Sequence, residues 1–361
     1  MMFWQWLSEM LHIHHSLAVL NYITLRCLLA AISAFFLVLV LGKRFIGWLQ
    51  VHQLGQVVRD DGPETHLQKQ GTPTMGGILI FVGILFAAFL WCDWANHAVQ
   101  LSMLSLVLFA IVGGVDDWLK IRDRSSDGLS AATKFSLQVL VAGLVMALYY
   151  LHASTPAQTT LYLPLLKGVA FNLGAWVIPF GMLVIVASSN AVNLTDGLDG
   201  LVIMPVILVI AGLAVVAYCS GHASLAKYLH LPHLPGLSEA GVLFAAIIGA
   251  GLGFLWFNAY PAQIFMGDLG SLSLGAFLGV ASVLVRQELM LVIMGFVFVL
   301  EAMSVILQVA SFKLRGKRIF KMAPIHHHFE LSGVPESKLI IRFWILTALL
   351  VLFCLATLKL R

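Results

Sequence analysis

Charge is what this sequence has least of. Asp, Glu, Lys and Arg make up 11% of 361 residues, while 60% are hydrophobic and the mean hydropathy is +0.95. A water-soluble domain with so little charge would aggregate through its exposed apolar surface, so that class is excluded. Cysteine is scarce too. Cys27, Cys92, Cys219 and Cys354 are the only four, each in or beside an apolar run. None forms a CxxC pair, which excludes a disulfide framework and a cysteine metal site. No Lys or Arg precedes Arg26, so the start lacks the basic region of a cleavable signal peptide, and the first apolar run is expected to stay in the mature chain. The alternating pattern of a transmembrane barrel strand is missing as well, and nothing points to a nucleic-acid partner.

What is present is a series of ten apolar runs, near 22–41, 75–93, 99–115, 134–152, 171–189, 201–220, 239–257, 269–285, 289–309 and 340–358. Crossing the hydrocarbon core takes about 20 residues, and only helices or closed barrels satisfy their backbone there. The expected fold is therefore an all-α polytopic membrane protein with about ten transmembrane helices, forming a single integral-membrane domain over 1–361. Fifteen Lys and Arg residues follow the odd-numbered runs, against five on the other side. By the positive-inside rule the odd loops face the cytoplasm and both termini are periplasmic. The main cytoplasmic loops are then 42–74, 116–133, 190–200, 258–268 and 310–339.

The acids fall on that same side, twelve of seventeen, which the rule for basic residues does not require. A face crowded with both signs suits an anionic substrate and a metal. Within it, Asn190 to Gly200 reads NAVNLTDGLDG. Asp196 and Asp199 are three residues apart and would share a helix face, and the glycines let a ligand or another backbone approach closely. A plain connecting loop would read the same way if it stood alone, but two further acidic patches accompany it. Asp116 and Asp117 end the third run and would repel each other without a cation or a lysine nearby. Asp268 stands between Gly267 and Gly270, after Pro261 has interrupted the chain. A hard oxygen ligand presented in this way suits Mg²⁺ that also holds phosphates.

Four other features bear on the site. Thr72 and Pro73 read as N-cap and first residue of a helix, with Lys69 beside the anion-binding end. Phe265 can stack a planar base or simply face lipid. Glu301 lies deep in the ninth run, where a functional acid, a structural hydrogen bond and a neutral carboxyl all remain open; Gln308, on the same face and nearer the end, is the better ligand contact. The basic loop that follows carries His326, His327 and His328. Three consecutive histidines cannot face one way on a helix, which argues against a three-histidine zinc site, while a turn after Pro324 can direct two of them to a phosphate or sugar.

Taken in order, GTPTMGG, VDDWLK, NAVNLTDGLDG, FMGDLGS and APIHHHFE resemble the motifs of the phospho-N-acetylmuramoyl-pentapeptide transferases, over essentially the whole chain and with no departure at the motif positions. The acidic motifs alone are similar to the wider polyprenyl-phosphate N-acetylhexosamine-1-phosphate transferases; the histidine run points to the muramoyl branch. The resemblance implies transfer of phospho-N-acetylmuramoyl-pentapeptide from its UDP-activated form to undecaprenyl phosphate, giving lipid I and UMP, with Mg²⁺. It implies an active site on the cytoplasmic face of a bacterial inner membrane, with lateral access for membrane lipid. It places Mg²⁺ on Asp268, and Asp116 and Asp117 at the carrier phosphate. The nucleotide would lie among Lys69, Asn193, Asp196, Asp199, Asn258, Phe265 and Gly267. Gln308, His327 and His328 would line the sugar and diphosphate, and Thr74, Lys120 and Lys134 complete the substrate side. A transferase for UDP-N-acetylglucosamine would keep the acidic patches. A cation-coupled transporter would instead place charges at the bilayer midplane and show related halves, and no internal repeat is seen. Monomer and homodimer, and direct transfer or an aspartyl-phosphate intermediate, are left open.

Overall fold

The computed structural model describes residues 18–52, 71–123, 127–164 and 169–360, with the isolated positions 3, 6, 125 and 166. Ten long helices dominate it: α1 (Ile23–Val51), α2 (Gly77–Trp91), α3 (His97–Arg122), α4 (Ala131–Leu151), α5 (Val177–Thr195), α6 (Ile203–Gly221), α8 (Ala240–Asn258), α9 (Gly267–Leu284), α11 (Phe296–Arg315) and α13 (Glu336–Ala356). Short helices α7 (Ala223–Leu229), α10 (Glu288–Met294) and α12 (Ile325–Glu330) lie between them. Strands β1 (Thr160–Tyr162) and β2 (Ala170–Asn172) form one antiparallel hairpin, with Leu161 opposite Phe171. Among the described residues nine helices are long and apolar enough to cross a membrane, and α2 is a shorter apolar helix. This is a polytopic all-α membrane protein.

Local chemistry sets several of the helix ends. The Asn96 side chain accepts from the Ala98 and Val99 N–H groups to start α3, and Ser130 accepts from Thr133 N–H to start α4, as N-caps do. Gly316, in the left-handed region, ends α11 by donating its N–H to Phe312. Along α1, Ala30, Ala34 and Val38 are buried, while Leu28, Ile32, Phe36 and Val40 are exposed. The outward row is what lipid, rather than water, would solvate. The most enclosed helices are α9, packed between α3 and α5, and α8, packed against α1, α2 and α6. Among the described residues the cysteines form no disulfide with one another.

The long helices alternate in direction. The C-terminal ends of α1, α3, α5, α8 and α11 and the N-terminal ends of α2, α4, α6, α9 and α13 therefore share one end of the bundle. Here the helices outrun the apolar runs. α1 continues to Val51, α3 to Arg122, α5 to Thr195 and α11 to Arg315, so much of what 42–74, 116–133, 190–200 and 310–339 were expected to supply as loop is helix. Hydropathy marks only the stretch that sits in hydrocarbon, whereas the i to i−4 hydrogen bonds continue through the polar end. The ninth run also differs from expectation. It breaks at Gly295 between α10 and α11, where the residue of weakest helix preference short of proline falls.

The start of α2 is the third difference. Thr72 does not cap it and Pro73 is not its first residue; Gly76 is the N-cap and the helix begins at Gly77. The stretch before it pairs instead with the chain leading into α9. Phe265 N–H donates to Pro73 C=O at 2.8 Å, and the N–H groups of Gly76 and Gly77 donate to the Phe265 and Met266 carbonyls, each at 2.8 Å. Two helix starts are thereby locked side by side at the polar end, an arrangement that a local capping signal does not disclose.

Candidate active site

The three acidic patches converge. Asp116 and Asp117 lie in the last two turns of α3 and Asp268 in the first turn of α9, and oxygens from the three carboxylates come within 4.8 Å of one another. Close contact of the helices makes this approach possible. Gly113 of α3 lies against the Asp268 backbone carbonyl, where any Cβ would collide. Gly267 takes φ of 76°, and a Cβ there would lie 2.6 Å from Asp117 Oδ2, so glycine is needed on both conformational and steric grounds.

Two lysines hold the carboxylates together. Lys120 Nζ is 2.6 Å from Asp116 Oδ2 and 2.8 Å from Asp268 Oδ2. Lys134, in the first turn of α4, has its Nζ 2.7 Å from Asp268 Oδ2 and 3.4 Å from Asp116 Oδ2. Asn193 on α5 donates to Asp268 Oδ1 at 2.7 Å and to Ser271 Oγ at 2.9 Å. Asp116 Oδ1 accepts the Leu129 N–H at 2.8 Å, which folds the 127–130 turn over it. Four helices, α3, α4, α5 and α9, thus supply one hydrogen-bonded centre.

Asp117 plays a different part from its neighbour. Its Oδ1 accepts the Asp268 N–H at 3.0 Å and its Oδ2 the Leu269 N–H at 2.9 Å. It caps α9 from another helix, satisfying two of the orphan donors at that N-terminus and adding negative charge where the dipole favours it. Three carboxylates face two ammonium groups here, so negative charge is left over. With hard oxygen donors this close, the cluster can hold a divalent metal ion.

A second set of contacts surrounds the NLTDGLDG stretch. Asp199 Oδ2 accepts the Ala262 N–H at 2.9 Å, and its own N–H donates to Glu336 Oε1 at 3.2 Å. Asn258, buried at the end of α8, accepts the Gly200 N–H at 3.1 Å and donates to the Ile264 carbonyl at 2.9 Å. Both residues therefore tie loops to one another. Asp196 just follows α5, half-buried beside the carboxylate centre. Burial, and after it the nearby charges of Asp268, Asp117 and Asp199, push its carboxyl up to about 8. Thr74 is buried and Phe265 half-buried, both in the hydrogen-bonded segments before α2 and α9.

Gln308, His327 and His328 form a third group. Gln308 Oε1 accepts from the Ile319 and Phe320 N–H groups, and its Nε2 donates to the Phe320 carbonyl, all at 3.0 Å. His328 Nδ1 accepts the Lys321 N–H at 3.1 Å. These bonds stay within the loop between α11 and α12, so Gln308 and His328 shape that loop. His327 Nδ1 is 2.8 Å from Glu330 Oε2. Lys69 lies outside the described residues.

Sequence reasoning gave none of the three histidines a buried place. His326 is fully enclosed and faces Glu301 across 3.1 Å, over Gly197. Glu301, whose role the sequence left open, is buried beside this ring. Glu336, reached by Asp199, was also missed; the Pro335-Glu336 start of α13 was its only local signal.

An intramembrane bundle that gathers carboxylates and lysines at one polar end is suited to bringing phosphate groups together beside lipid. Comparison with known families agrees: the chain belongs to glycosyl transferase family 4, whose model matches residues 99–286, from α3 through the end of α9 and so across all three carboxylates. Residues 69–81 match the phospho-N-acetylmuramoyl-pentapeptide-transferase signature 1. The enzyme transfers phospho-N-acetylmuramoyl-pentapeptide from a nucleotide-linked donor to a polyprenyl phosphate carrier in the membrane, a step of peptidoglycan synthesis.

Proposed function

We propose that the donor is UDP-N-acetylmuramoyl-pentapeptide, the acceptor undecaprenyl phosphate and the cofactor Mg²⁺, with the site on the cytoplasmic face of a bacterial inner membrane. The meeting of Asp116, Asp117 and Asp268 with Lys120 and Lys134 at one end of the bundle carries this reading. The bias of Lys and Arg toward that end supports the orientation. An oxygen of the acceptor phosphate forms a bond to the sugar-bearing phosphorus, and the bond from that phosphorus to the UMP oxygen breaks. One phosphoanhydride replaces another, so the exchange is near thermoneutral and the protein's work is alignment and charge screening.

Asp268 and Asp116 are the ligands we assign to Mg²⁺, which when bound would screen the phosphate oxygens. The ammonium groups of Lys120 and Lys134 act on the same anions. Asp117 positions Asp268 rather than moving a proton, since both its oxygens are engaged by backbone N–H groups. A phosphate monoester has a second pKa of about 6 and is already mostly dianionic at neutral pH, so it gains little from a base. Lys69, Asn193, Asp196, Asp199, Phe265 and Gly267 are assigned to the nucleotide and Thr74 to the substrate side. Asn258, Gln308 and His328 hold the surrounding loops, and His327 is assigned to the sugar and diphosphate.

The decisive assay is UMP release by the purified enzyme with donor, undecaprenyl phosphate and Mg²⁺, repeated with each omitted and with UDP-N-acetylglucosamine as competitor. Dependence on all three and indifference to the competitor are expected. Turnover with UDP-N-acetylglucosamine, or full activity in a chelator, would refute the assignment. Labelled phosphate trapped on the protein without acceptor would show an aspartyl-phosphate; direct transfer predicts none.

A further inference from the structure

Beside the Asp196–Gly197 turn lies a buried acid and base pair that the carboxylate centre does not use. Glu301, on α11, and His326, at the start of α12, are both fully buried, with His326 Nδ1 3.1 Å from Glu301 Oε2. Among the described residues Glu301 Oε1 and both ring nitrogens of His326 make no hydrogen bond, while the His326 backbone N–H donates to Glu301 Oε2 at 3.5 Å. A buried polar atom without a partner is costly to retain, and an apolar pair would join α11 to α12 without it. The imidazole also has a particular neighbour: its Nε2 edge lies over Gly197, where any Cβ would collide with it.

Gly197 follows Asp196 and precedes Asp199. Its N–H donates to the Thr195 carbonyl at 2.9 Å and that of Asp196 to the Asn193 carbonyl at 3.3 Å, so the turn ends α5 within one helical turn of Asn193, which holds Asp268. Among the described residues the Asp196 carboxylate makes no hydrogen bond that would fix the turn from the inside. What bears on it from outside is the His326 ring, and Glu301 faces the far side of that ring.

We propose that Glu301 is a positioning residue for the transfer reaction, setting the Asp196–Gly197 turn through the ring of His326. The inference rests on the reading of that turn as part of the donor site. Removing the carboxylate leaves the ring free to rotate, and the turn moves with it. Supporting residues one shell removed from a site typically cost about 10- to 100-fold when lost.

The test is steady-state UMP release by the full-length enzyme, varying donor and polyprenyl phosphate separately, for Glu301→Ala and Glu301→Gln. Glu301→Ala is expected to lower kcat/KM for the donor about 10- to 100-fold, with KM for the polyprenyl phosphate unchanged. Glu301→Gln keeps an oxygen facing Nδ1 and is expected to recover most of the loss. Normal donor kinetics in Glu301→Ala, or equal loss in both variants, overturns the proposal.

If Glu301→Ala does not fold, Gly197→Ala serves in its place, made with His326 present and in a His326→Ala background. The added methyl should damage donor kinetics only while the ring is there to meet it; additive effects overturn the coupling. Unaltered donor KM in Asp196→Asn would remove the reading of the turn and the proposal together, whereas failure of the Glu301 variants alone leaves that reading standing.

Discussion

Asp117→Asn separates support from proton transfer. The substitution exchanges one of two acceptor oxygens for an amide donor. Asp117 now accepts the Asp268 N–H at 3.0 Å and the Leu269 N–H at 2.9 Å, so in the variant one of those N–H groups meets an NH₂ group. Loss of an N-cap costs about 0.5–2 kcal/mol, and an unsatisfied buried N–H about 1–3 kcal/mol. The two overlap, which makes about 2 kcal/mol the cost to the first turn of α9. Asp268 is the second residue of that turn, and a misplacement of about 1 Å can cost about 100-fold in rate. We therefore expect kcat to fall about 100-fold, with a lower melting temperature in detergent. UMP release should be followed from pH 6 to pH 9. The acceptor phosphate, with its second pKa of about 6, is fully dianionic at the upper limit and needs no base there. A supporting role predicts the same fractional loss at every pH. Activity returning toward the parent value at pH 9 would refute it and make Asp117 the base.

Three other outcomes follow from the same geometry. Mg²⁺ at about 100 times its Kd should stabilise the parent by about 2.7 kcal/mol, read as a rise in melting temperature that disappears on chelation and in Asp268→Asn; an equal rise in that variant would rule out the carboxylate cluster as the binding site. Asn258→Ala strands the Gly200 N–H and the Ile264 carbonyl, so stability should drop by about 1–3 kcal/mol and KM for the donor should rise, while unchanged melting would show that these loops are held otherwise. For Asp196, the folded carboxyl titrates at about 8 and the unfolded one at 3.8. Between those values the unfolded chain binds fewer protons, so this group's contribution to stability declines as pH rises from about 4 to about 8. Without added metal, the gap in melting temperature between Asp196→Asn and the parent should widen in favour of the variant over that range; a gap independent of pH would contradict the burial of this carboxyl.

Much of the molecule was legible in the linear chain because the lipid environment is severe. Unbroken apolar runs must be helices, so each of the ten expected runs has its long helix. The residues that carry charge in so apolar a chain had to be doing something, and Asp116, Asp117 and Asp268 do meet, as their placement at run ends implied. Lys120 and Lys134 could have been explained by topology alone; only their Nζ positions reveal them as bridges between Asp116 and Asp268.

What the linear chain determined, then, is the bundle and the identity of its acidic centre, since both follow from the cost of polar groups in or near hydrocarbon. The tertiary structure decided how the polar atoms are divided. Asp117 spends its oxygens on the backbone of α9, Gln308 and His328 on their own loop, Asn258 on two others, and His326 rather than its neighbours goes inward to Glu301. A hydrogen bond is fixed by distance and angle between groups that can lie more than a hundred residues apart, as Asp117 and Asp268 do, and no local pattern of residues specifies either quantity.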